Sequence, residues 1–174
     1  LLTFGVPAAL RYELRRRMDR PADLFSSALM IGGVLGAFAV VVGFTIVPHV
    51  LMRYPPPVVV FAQGMMLFAP LMLCNAILQA FYESQGDFKR SNAMIYVPPL
   101  LTLTGLLFLV ATHALSPYSV AVIYEAPFAF MTLTTVVRLR RLLILPPNLL
   151  QRMRSLLHYG IRAYGIDILS TLAA

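Results

Sequence analysis

The sequence predicts an all-α fold, a polytopic integral membrane helix bundle, and three observations carry that expectation. The chain is 59% hydrophobic and 12% charged, which leaves a soluble domain of 174 residues too little polar surface to cover itself. Two windows, Leu24 to Met52 and Tyr54 to Tyr82, contain no Asp, Glu, Lys or Arg. Each holds the ~20 apolar residues that a spanning helix needs. A third window, Ser91 to Val137, is 47 residues long with Glu125 as its only charge. As one helix it would reach about 70 Å, more than twice the hydrocarbon thickness, so it must fold back on itself.

The elements follow in order. "LLTFGVPAAL" reads as the end of one span. Full spans are expected at Ser26 to Val50, Val58 to Phe81, Ser91 to Thr112 and Pro117 to Val137. In the first of these Gly32, Gly36, Ala39 and Gly43 form a small-residue seam that lets helix backbones approach. Between the second and third lies a tight hairpin, where Gly86 suits a left-handed helix cap and Asp87 the cap of the next helix. "HALSPYS", 113–119, is the only turn chemistry in the long third window, and Pro117 opens the helix after it. "PPNLLQRMRSLL" places Leu149, Leu150, Met153, Leu156 and Leu157 on one face, the pattern of a short helix lying on the inner leaflet. A further span starts near His158. The expected organisation is therefore 1–139 as one bundle, 140–157 as an amphipathic linker and 158–174 as the start of the next helix. Both ends read as pieces of further spans, so the chain is expected to be an internal stretch of a longer protein.

Charge assigns the sides. The chain has 14 Lys and Arg against 7 Asp and Glu, and the excess sits in alternate links. The links 11–23, 83–90 and 138–162 are rich in Arg and Lys, whereas "PHVLMRYPPP" holds only Arg53 and "HALSPYS" has no charge. Because Lys and Arg resist translocation, the rich links are expected to be cytoplasmic. That same placement argues against a nucleic-acid partner, whose cations would share one face.

Enzyme chemistry finds little purchase. His49, His113 and His158 are isolated, and HExxH, GxSxG and a phosphate-cradling glycine loop are all missing. Cys74 is the only cysteine, so no disulfide framework or cysteine metal site can be built. No catalytic residue, metal or cofactor is expected.

The candidates that remain belong to a transport path. Glu125 is the only acid deep in a span, where a carboxylate facing lipid costs about 2.5 to 3.5 kcal/mol on insertion scales, so it should face protein or water. Tyr118, Ala121, Thr132 and Thr135 share its face. It reads either as a proton, cation or substrate contact, or as a protonated acid bonded to a neighbouring helix. Asn75 and Gln79, four residues apart, suit a sugar or an interhelical bond. Pro70, Pro98 and Pro99 each remove an amide and free a carbonyl one turn earlier, giving a hinge, a cavity-facing backbone or a static kink.

At "LLHYGIRAYGIDILS", 156–170, the sequence resembles the opening of the seventh helix in bacterial polysaccharide or O-antigen flippases, where a "YG.RAY..D" pattern follows a basic linker. "LLTFGVPAALRYELRRR" is similar to the end of that family's second helix, and "LQAFYESQGDFKRSN" to its turn between helices four and five. These flippases belong to the multidrug/oligosaccharidyl-lipid/polysaccharide exporter superfamily. The resemblance implies a two-lobe transporter of six plus six or more helices in the bacterial inner membrane. It would pass a lipid-linked oligosaccharide to the outer leaflet by alternating access, working beside glycan polymerase or glycosyltransferase machinery. It further implies an arginine for the diphosphate, a place that Arg162 can fill if it is not simply a positive-inside anchor, and has Asp167 either pair with Arg162 or face the interlobe cavity. Other exporters of the superfamily, an integral-membrane glycan enzyme and a membrane scaffold are the competing expectations. An enzyme would need larger outer loops than these.

Overall fold

The computed structural model describes residues 5–16, 21–143 and 149–172, with side chains as far as Arg162. It is all-helical, with no strand among the described residues. The helices are α1 (Val6–Arg16), α2 (Pro21–Val50), α3 (Pro56–Met66), α4 (Ala69–Ser84), α5 (Phe88–Ala111), α6 (Pro117–Leu139) and α7 (Leu149–Leu172), with a 3-10 turn at Arg140–Leu142. Four stretches are long and apolar enough to cross a membrane: Pro21–Val50, Pro56–Ser84, Phe88–Ala111 and Pro117–Leu142. Large apolar side chains such as Phe38, Val41, Leu100, Leu107 and Phe130 cover the outside of the bundle. That is the inverse of a water-soluble surface and suits hydrocarbon.

Two helix boundaries differ from the sequence expectation. The span expected over Val58 to Phe81 is two helices, divided at Leu67 and Phe68. Pro70 has no N–H to give the carbonyl of Met66, and the preceding turn tightens: Leu67 N donates to Gly64 O and Phe68 N to Met65 O, both at 3.1 Å. Leu67 and Phe68 stay right-handed, at φ −63° and −78°, so the chain keeps its helical hand through the break. By contrast α5 runs through Pro98 and Pro99 uninterrupted. The second difference is α7, one continuous helix across the division expected at 157/158.

The turns match their chemistry. Gly86 is left-handed, at φ +74°; its N–H reaches Glu83 O at 3.1 Å and that of Asp87 reaches Tyr82 O at 3.0 Å, closing α4 in a Schellman motif. Asp87 then caps α5 by accepting from Arg90 N at 3.1 Å. Ser116 and Ser119 form a reciprocal capping box ahead of Pro117-initiated α6.

Helix α2 packs closely against α4 and the end of α3. A Cβ at Gly36 would enter the backbone of Pro70, and one at Gly43 would lie 2.6 Å from Met66 Cγ, so glycine is what permits this closeness. The buried core, with Leu10, Phe25, Ile31, Ile77, Leu78 and Leu156 at its centre, draws on α1, α2, α4 and α7. None of the α3 side chains is buried.

One end of the bundle gathers the charges. Arg11 Nη1 meets Glu83 Oε2 at 2.9 Å, tying α1 to α4. Arg152 Nη2 meets Asp23 Oδ2 at 3.0 Å, tying α7 to α2. Ser26 Oγ donates to Leu142 O at 3.0 Å, and Arg90 lies over the ring of Tyr82. Thus the links that are richest in Arg and Lys meet at one place.

Candidate functional site

The site is built outward from α6, because that helix carries the only acid within the long apolar windows. Glu125 is half-buried, and its Oε2 is enclosed without a hydrogen-bond partner among the described residues. An enclosed carboxylate oxygen left this way is unfavourable unless a proton, an ion or a ligand meets it. Glu125 lies eight residues from the start of α6 at Pro117, about 12 Å along the axis and so well inside the span.

The polar stripe expected on the Glu125 face has two different halves. Thr132 and Thr135, toward the charged end, are buried, at 0% and 7% exposure. They are packed among helices and line no open cavity. Tyr118, toward the other end, is exposed and sets its ring edge-on against Phe61 of α3, with centroids 4.7 Å apart.

On α4, Asn75 is 8% exposed, and its Nδ2 is a second enclosed atom with no partner among the described residues; Thr132 Oγ1 is a third. Counting back from the charged ends of their helices, Asn75 is nine residues from Ser84 and Thr132 seven from Leu139, about 13 and 10 Å along the axes. Both belong to the packed half of the bundle nearer its charged end. Gln79 is differently engaged. Its Nε2 donates to Glu83 Oε1 at 3.1 Å, and Ser91 Oγ of α5 donates to the same oxygen at 3.2 Å. With Arg11 on Oε2, Glu83 accepts from three helices. Gln79 is a member of that network.

The prolines reveal a pattern that sequence reading missed. Pro48 inside α2 leaves the carbonyl of Phe44 without its usual donor, and Gln63 Nε2 of α3 supplies one at 3.0 Å. Pro127 inside α6 leaves the carbonyl of Ile123, and Thr102 Oγ1 of α5 approaches it at 3.4 Å. In each case a neighbouring helix meets the freed oxygen, as a medium without water requires. The available signal was a Gln or Thr facing a helix that has a proline.

Arg162 lies exposed on α7. The side chain of Asp167 falls outside the described residues. The helix separates the two positions by five residues, or about 140° of rotation, so they do not share a face. No group of three or more His, Cys, Asp or Glu able to hold a metal ion occurs among the described residues.

No protein-family model, no curated protein and no solved structure matches this chain.

Proposed function

We propose that this chain is part of a membrane carrier that passes a lipid-linked oligosaccharide from the cytoplasmic to the outer leaflet of a bacterial inner membrane by alternating access. The supporting observation is Glu125: an acid well inside a span, with one enclosed carboxylate oxygen unpartnered among the described residues. Glu125 takes up the proton or cation that couples transport. The resemblance of 156–170 and of the two other stretches to polysaccharide flippases supplies the substrate class. It also supplies the diphosphate role for Arg162 and the two-lobe architecture. The charged end of the bundle faces the cytoplasm in this reading, with 11–23, 83–90 and 138–162 on that side, because Arg and Lys resist translocation.

The test uses the full-length protein in cells that depend on it for surface polysaccharide. Glu125→Gln keeps the size and hydrogen-bonding capacity of the side chain but removes its charge. The variant should reach the membrane at the normal level and lose most surface display. Unchanged display would reduce Glu125 to a packing role. On architecture, the full-length protein should have about twelve to fourteen spans in two similar halves; a total of seven or eight would rule out the two-lobe carrier.

A further inference from the structure

The span Pro56–Ser84 is fastened unevenly along its length. Its α4 half buries Asn75, Ile77, Leu78, Ala80, Phe81 and Tyr82, while its α3 half buries no side chain. The facing part of α2 is equally open, since no residue beyond Gly43 in that helix is buried. The core therefore holds α4 and leaves α3 with few fastenings.

Between the halves the backbone ladder is thin. Leu67 N and Phe68 N donate back into α3, to Gly64 O and Met65 O, and α4 starts afresh from Phe68, whose carbonyl takes Met72 N at 3.0 Å. Pro70 has no N–H for the carbonyl of Met66, so the bond that would stitch α3 to α4 at that point cannot form. At Leu67 and Phe68 ψ is −18° and −16°, close to the values of a 3-10 turn. A short tightened turn inside a longer helix is a natural pivot.

Two side-chain contacts keep α3 in place beyond the pivot. Gln63 Nε2 reaches the Phe44 carbonyl of α2 at 3.0 Å, an acceptor left open because Pro48 has no N–H to give it. Phe61 meets the ring of Tyr118 edge-on. Register then locates the pivot against α6. Both α3 and α6 run toward the charged end, and Phe61 lies beside Tyr118. Seven residues, or about two turns, further along each helix come Phe68 and Glu125. The pivot is thus level with the acid. The lightly held rod lies beside the stretch of α6 that carries Tyr118 and Ala121, between Glu125 and the end of the bundle away from the arginines.

We propose that α3 is a gate hinged at Leu67 and Phe68: it swings from α6 while α4 stays in the core, and its movement opens and closes the row of Tyr118, Ala121 and Glu125 to the end of the bundle opposite the arginines. Opening breaks only the Gln63–Phe44 bond and the Phe61–Tyr118 ring contact, so the two arrangements differ by little packing. Met66 stays on Gly43 at the base of the swing. What the gate admits rests on the reading of Glu125 as an uptake site; the hinge itself does not.

Hydrogen exchange of the full-length protein in neutral detergent, read by mass spectrometry, tests the hinge. Amides of 58–66 should exchange about tenfold or more faster than those of 104–111, a stretch of α5 at a comparable distance from the charged end. Gln63→Leu should speed exchange across 58–66 and leave 75–84 unchanged, and Pro70→Ala, which supplies the missing N–H, should slow it. Access is read in a Cys74→Ala background by the rate at which a charged methanethiosulfonate labels Ala121→Cys. Gln63→Leu should raise that rate about threefold or more and Pro70→Ala should lower it. Pro70 packs on Gly36, so if Pro70→Ala does not fold, Gln63→Leu decides alone. Equal exchange in 58–66 and 104–111, or a Gln63→Leu effect spread evenly over α3 and α4, would overturn the hinge. Faster exchange with unaltered labelling of Ala121→Cys would overturn the gate. Neither result bears on Glu125→Gln, whose effect on surface display is measured separately and fails or holds whatever α3 does.

Discussion

His113 has a φ of +53°, a left-handed backbone that most side chains avoid. It occupies the residue just past the end of α5, where its N–H donates to Val110 O at 3.2 Å and that of Ala114 to Leu109 O at 3.0 Å. This is the same Schellman closure that Gly86 makes after α4, here built with a histidine. The left-handed region costs an L-residue about 1 to 2 kcal/mol, while glycine gives back about 0.5 to 1 kcal/mol in unfolded-chain entropy. His113→Gly should therefore stabilise the protein by about 0.5 to 1 kcal/mol, seen as a higher melting temperature in detergent. No change or a fall would show that the imidazole makes a contact that offsets its strain. The turn was legible from "HALSPYS", but the strained position was not, since nothing local marks His113 as the residue that turns left-handed. Glu125 shows the opposite balance. Its depth in a span was plain from the sequence, but the split of its face into buried Thr132 and Thr135 and exposed Tyr118 depends on which helices lie across from it.

Among the elements, α2 and α4 set the spacing of the bundle. Gly36 faces Pro70, and the Cβ of any larger residue there meets ring and backbone atoms with little freedom to move. Gly36→Val should cost about 1 to 3 kcal/mol by overpacking, measurable as a lower melting temperature. Gly33, with nothing within 4 Å of a Cβ, should accept alanine at almost no cost. Equal effects at the two positions would place the α2–α4 contact elsewhere. The seam was legible because small residues recur at helical spacing. Other features needed the tertiary structure. The break at Leu67 and Phe68 follows from Pro70, yet Pro98, Pro99 and Pro127 leave their helices continuous, so proline alone does not reveal which helix will divide. In α7 the amphipathic pattern and the apolar pattern fit a single rod, because no proline lies between Leu149 and Leu172 and Gly160 is held where α1 comes close.

At the scale of the whole molecule, the arginine-rich links serve two purposes that charge counting merges. The proposed orientation accounts for their clustering, but Arg11 and Arg152 also join helices distant in sequence: α1 to α4 through Glu83, and α7 to α2 through Asp23. The Asp23–Arg152 pair is the more enclosed, with side-chain exposures of 12% and 22% against 22% and 46% for Glu83 and Arg11. Asp23 lies in the first turn of α2, where the helix dipole already favours a negative charge. Removing Arg152 would then leave a largely buried carboxylate without its cation. Arg152→Met should cost about 3 kcal/mol on the scale of broken buried pairs, whereas Asp23→Asn with Arg152→Met should recover much of it by removing the orphaned charge. The two losses should be markedly non-additive in a double-mutant cycle read by thermal melting. If they simply add, the contact holds α7 no more firmly than an exposed pair would. The docking of α7 would then rest on Leu156, Tyr159 and the Gly5–Gly160 approach alone.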